Sequence, residues 1–72
     1  MGKITITVRT KGKSSTWIED YDKPNITSQK DAEIWANDLV RKYNEEEEAY
    51  SKAGTLKSPH YRVLVDTVYS NE

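Results

Sequence analysis

The sequence predicts an α+β domain of order β-β-α-β, with three antiparallel strands in the order 2-1-3 and one long helix across one face. Three observations predict it. A strict alternation of β-branched residues opens the chain, an apolar stripe at helical spacing occupies its middle, and a second β-branched run closes it. At 72 residues this is a single domain, with room for one thin core layer and none for a deep cleft.

Residues 3–10 alternate without a break. Ile4, Ile6 and Val8 point one way and Thr5, Thr7 and Arg9 the other, a pattern that suits a half-buried strand. The polar, glycine-bearing stretch at 11–14 then reads as a hairpin turn. The second strand, at about 15–21, has a parity that depends on loop length. A two- or four-residue loop puts Trp17, Glu19 and Tyr21 on the Ile4/Ile6/Val8 face, whereas a three-residue loop puts Thr16, Ile18 and Asp20 there. Two aromatic rings bury more area than one isoleucine, which favours the first register. Glu19 then needs a position near the edge or a partner.

Asp22-Lys-Pro-Asn25 carries turn chemistry. Ser28-Gln-Lys-Asp31 resembles a capping box, with aspartate in place of the usual Glu or Gln. From there Ala32, Trp35, Ala36, Leu39, Val40 and Tyr43 fall on one helical face, and Trp35 and Leu39, mid-stripe, are its expected central contacts. Lys52 and Gly54 are stop signals. A helix over 31–53 measures about 34 Å against about 23 Å for a seven-residue strand, so its last turns should overhang the sheet or fray. A polar connection over 54–59 leads to a third strand at 60–69, and the last three residues read as a tail. The helix carries the chain back, so strand three runs antiparallel to strand one, through a crossover expected to be right-handed.

Composition removes several function classes. Eleven basic and twelve acidic residues give a net charge of −1, which fits neither a bulk nucleic-acid binder nor an acidic DNA mimic. Without cysteine there are no disulfides, thiolate nucleophiles or Cys-ligated metals. No apolar leader precedes the first strand and no run approaches a membrane span, so the expected compartment is the cytoplasm. Apolar residues make up 35% and charged residues 32%, which implies modest stability that a partner or a second copy could raise.

None of the polar clusters reads as a catalytic site. The four glutamates at 45–48 point in four directions on a helix and three of them have i,i+4 partners, Arg41–Glu45, Lys42–Glu46 and Glu48–Lys52, as a solvated face should. His60 has no triad partners placed by sequence. Glu19, Asp20 and Asp22 lie on a short, wet strand with nothing to separate their pKa values.

The third strand is more unusual, being apolar on both faces. If Val63 and Val65 pack under the helix, Leu64 and Val68 look outward, joined by Ile18 in the favoured register. An open sheet face should be polar, so Ile18, Leu64 and Val68 form a candidate partner surface. The alternative uses charge: Arg9, Lys11 and Lys13 on the hairpin, with Arg62, form a basic stripe for nucleic acid.

The run Thr16-Trp-Ile-Glu-Asp-Tyr-Asp-Lys-Pro-Asn-Ile, with the later Leu39-Val-Arg-Lys-Tyr-Asn44, resembles small bacteriophage and prophage proteins. In those a Tyr-Asp-x-Pro turn leads into a helix and a final strand. The resemblance spans residues 16–44 and brings no catalytic motif and no assigned activity. The acidic stretch after Asn44 departs from the proline- and glycine-rich loop of that group. The expectation is a non-enzymatic accessory protein working by contact with a protein partner, for which a second copy is one candidate. Neither a cofactor nor a membrane is implied.

Overall fold

A computed structural model describes residues 2–54 and 60–71. Of the expected connection at 54–59 only Gly54 falls within them, and Glu72 of the expected tail lies outside. The elements are β1 (Lys3–Thr10), β2 (Thr16–Asp22), α1 (Gln29–Lys52) and β3 (Arg62–Ser70). The sheet has the order β2-β1-β3, both pairings antiparallel, with α1 on one face.

The β1–β2 turn takes the four-residue form. Thr10 N donates to Ser15 O and Lys13 N to Thr10 O, around Gly12 at φ 79°. Trp17, Glu19 and Tyr21 therefore stand opposite Val8, Ile6 and Ile4 on the helix side, the register favoured by the aromatic residues. The turn after β2 closes over Gly2, whose carbonyl accepts from Lys23 N at 2.9 Å. A Cβ on Gly2 would lie 2.6 Å from the Lys23 carbonyl oxygen and closer still to that of Ile26, so only glycine fits there.

Ser28 caps α1 by accepting from Asp31 N, and Gly54 at φ 81° follows its last turn. The centre of the helix contact differs from the expectation. Ala32, Ala36 and Val40 are the buried residues, while Trp35 and Leu39 are half-buried on the flank facing β2. The cause is that α1 leans toward β3, and the alanines permit close approach. Beneath it Ile4, Ile6 and Val8 of the central strand are at most 1% exposed. Asn44 meets Arg62 at the start of β3, so the last two turns of α1 overhang the sheet, as the length mismatch requires. On the outer surface Arg41 pairs with Glu45 and Lys52 with Glu48 as expected. Lys42 instead reaches back to Asp38 at 3.1 Å rather than forward to Glu46.

The register of β3 holds the main correction. Ile4 and Ile6 face Tyr69 and Thr67, and Thr7 faces Asp66, but Val8 faces Leu64. Val65 is the extra residue of a β-bulge, and a one-residue insertion inverts side-chain parity beyond it. Leu64, expected on the open face, instead packs against the core under α1. Arg62, expected in the basic stripe, also turns to the helix side. Val63 takes the outward place beside Arg9. The bulge explains why β3 reads as apolar on both faces: each half of the strand buries a different parity.

Candidate interaction surface

The open face of the sheet is a grid of three columns. Its rows run Asp22–Lys3–Ser70, Asp20–Thr5–Val68, Ile18–Thr7–Asp66 and Thr16–Arg9–Val63. Ile18 and Val68 are 66% and 50% exposed, and they stand on opposite edge strands in different rows. Of the three apolar residues expected here, two are present and are not neighbours; Leu64 is absent. Between them are threonines and carboxylates, and Thr5 Oγ1 donates to Asp20 at 2.8 Å. The face by itself is a polar surface with three separate apolar points, Ile18, Val68 and the half-buried Val63.

Of the expected basic stripe, Arg9, Lys11 and Lys13 remain exposed at the hairpin end. Lys11 Nζ lies 5.8 Å from the Tyr61 ring centroid. Arg62 is withdrawn from them. Its guanidinium lies 3.8 Å from the Tyr43 ring centroid and 5.1 Å from that of Trp17, and 3.5 Å from Glu19.

Glu19 finds the partners its inward position demanded. Trp17 Nε1 and Tyr21 Oη donate to its two carboxylate oxygens at 2.8 and 2.5 Å. The Tyr21 hydroxyl first, then the Trp17 indole, with Arg62 adding charge attraction, hold the Glu19 pKa below its usual range against partial burial. The same bond raises the Tyr21 pKa. Tyr21 meets Trp35 edge-on at 5.0 Å between centroids, and Lys23 Nζ lies 5.0 Å from the Trp35 centroid. This chain of rings and charges closes the flank that α1 leaves open by leaning toward β3. The crevice behind it, about 70 Å³ between Leu39, Tyr43 and β2, is far below the roughly 300–1,000 Å³ of a ligand pocket. A shallow groove of about 220 Å³ between the bulge and Glu33 and Asn37 is also below that range. Among the described residues no group of three or more His, Asp or Glu is placed to hold a metal ion, and no helix is long and apolar enough to cross a membrane.

The two sheet edges are treated differently. Along β3, helix side chains occupy backbone groups that face away from β1. Gln29 donates to Thr67 O at 2.7 Å and accepts from Tyr69 N at 2.8 Å. Asn44 donates to Arg62 O at 3.1 Å and accepts from Arg62 N at 2.7 Å. Each carboxamide stands in for a peptide of a neighbouring strand. On the opposite edge, the Thr10–Ser15 and Lys23–Gly2 bonds fix the phase of the β1–β2 ladder. Trp17, Glu19 and Tyr21 turn their backbone groups toward β1, so Thr16, Ile18, Asp20 and Asp22 turn theirs outward. No family, curated protein or solved structure matches the chain.

Sequence reasoning did not assign Gln29 and Asn44. The signal was present in their spacing: Gln29 lies three residues before Ala32 and Asn44 four after Val40, which puts both at the ends of the buried row.

Proposed function

We propose that this protein is a non-enzymatic accessory protein that works by protein–protein contact, through the β2 edge and the adjoining open face around Ile18. The observation that carries this reading is the asymmetry of the edges. An uncovered edge strand is a template for pairing with another chain. Here β3 is occupied by Gln29 and Asn44, while β2 carries a 66% exposed isoleucine. The small size of both concavities, and the use of Glu19, Arg62 and the aromatic rings in bracing the helix flank, also favour contact over catalysis. The resemblance of residues 16–44 to phage and prophage proteins fits a small accessory role and suggests the setting.

The nucleic-acid reading loses Arg62 and is left with Arg9, Lys11 and Lys13 at one end of the molecule. A titration of mixed-sequence duplex DNA at low salt tests it, since phosphate contacts give a steep salt dependence; the contact reading expects no salt-sensitive binding. The contact reading itself is tested by a photo-cross-linking residue at position 18. Exposed Ile34, on the far side of the helix, is the control. A discrete protein adduct from position 18 and none from position 34 is the expected result. Equal labelling from both positions, or none from either, overturns the reading.

A further inference from the structure

We infer that the partner the β2 edge is built for is a second copy of this chain, paired antiparallel through β2 about a twofold axis at Ile18. This deepens the contact reading above and rests on it. β2 joins a basic end to an end bearing two carboxylates. The hairpin before it carries Lys11 and Lys13, and its last residues include Asp20 and Asp22, with Lys3 opposite Asp22 on β1 and Lys23, after the strand, on the Trp35 ring. Antiparallel pairing of two identical strands sets the basic end of each beside the carboxylate end of the other, so one sequence supplies both halves of the complementarity.

The register follows from which residues must not meet. Since Thr16, Ile18, Asp20 and Asp22 present the outward backbone groups, those are the positions that exchange hydrogen bonds across the new seam. Centring the axis on Ile18 puts the two isoleucines face to face. It sets Asp20 of one copy opposite Thr16 of the other and Asp22 opposite Ser14, so each carboxylate meets a hydroxyl. Lys13 falls opposite Lys23 just past the strand ends, where the Lys23 ammonium is turned onto the Trp35 ring. On the helix side Glu19 meets Trp17. Moving the axis to Glu19 or Asp20 would set two carboxylates directly opposite each other, which is destabilising. The Ile18 register buries the most exposed apolar residue of the strand and joins two three-stranded sheets into one of six. The seam is short, which places it in the class of weak, reversible interfaces under about 1,200 Å², so it forms by concentration.

Sedimentation of the purified chain over a wide concentration range should show a monomer passing to a dimer. Ile18→Lys, which sets two ammonium groups face to face, should abolish the dimer while a thermal melt shows the fold intact. A charge exchange tests the antiparallel geometry. Asp20→Lys with Asp22→Lys makes both ends basic, and Ser14→Glu with Thr16→Glu, at the positions opposite those aspartates, makes both acidic. Each double variant alone should dimerise roughly tenfold or more weakly than the original chain, because like charges oppose at both ends. An equimolar mixture of the two should form the mixed dimer. A chain that stays monomeric at every concentration overturns the inference, as does a dimer unmoved by these variants or a failure of the mixture to pair. If the chain is monomeric and position 18 still cross-links to a different protein, the contact surface stands and only the self-pairing falls. A monomer with no adduct at position 18 removes both.

Discussion

The bulge at Val65 separates two substitutions that an unbulged β3 would rank the other way. Leu64 packs on the core under α1, and Val68, on the same parity four residues on, faces outward at 50% exposure. Full burial of a leucine is worth about 1.5–3 kcal/mol. Leu64 is only half-buried, so Leu64→Ala should cost roughly 1–2 kcal/mol. Leu64→Lys should cost about 2–3 kcal/mol, because the ammonium must be led out past α1 on a flexible stem. Val68→Lys should change stability by less than about 0.5 kcal/mol. The whole domain, at about 0.05–0.15 kcal/mol per residue, holds together by only about 4–11 kcal/mol, so the first variant is easy to see. With a urea slope near 1 kcal/mol/M for so small a chain, Leu64→Lys should lower the midpoint by roughly 2–3 M and Val68→Lys by under about 0.5 M. Equal shifts, or a larger one for Val68, would mean that β3 runs without the bulge and that the assignment of its faces is wrong.

Three further outcomes follow from the contacts. Glu19 has a lowered pKa, so its hydrogen-bonded carboxylate stabilises the fold above its ordinary value near 4.5 and that stabilisation is lost as pH falls through the lower folded value. Glu19→Gln should flatten the stability profile in that acid window, and an unchanged profile would remove Glu19 from the bracing network. Gln29→Ala and Asn44→Ala each strip two hydrogen bonds from the β3 edge and should cost about 1–3 kcal/mol in a denaturant melt. They should also promote concentration-dependent association through the uncovered edge, which light scattering would detect. Gly2→Ala drives a methyl group into the carbonyls of Lys23 and Ile26 and should destabilise by a few kcal/mol, on the order of an overpacked core site; a neutral thermal melt would contradict the close approach.

Much of the fold was legible because single-element patterns are local. The alternation of Ile4, Ile6 and Val8, the cap at Ser28 and the stripe through Val40 each need only neighbouring residues to be read. The register of β2 was also legible, because Trp17 and Tyr21 outweigh Ile18 in buried area. The bulge was not. Its trace in the sequence is the apolar character of both faces of β3, which looked like an interaction surface and is instead a change of parity at Val65. Leu64 and Arg62 were misplaced for that one reason. The helix centre was misjudged because pattern reading favours large residues. Close packing of α1 on β1 and β3 requires small ones, Ala32 and Ala36, and displaces Trp35 and Leu39 to the flank. Helical spacing puts Gln29 and Asn44 at the ends of the buried row, but that they reach the β3 edge depends on where α1 lies over the sheet, which no local pattern states.

The central claim is that helix side chains hold both ends of the β3 edge while β2 is open for another strand. Amide hydrogen exchange read residue by residue at two protein concentrations tests it most directly. The amides of Arg62 and Tyr69, held by Asn44 and Gln29, should be protected at both. Those of Thr16, Ile18 and Asp20 should exchange rapidly in dilute solution and become protected at high concentration. Rapid exchange at Arg62 and Tyr69, or β2 amides that respond to concentration no more than those of the hairpin turn, would contradict the account.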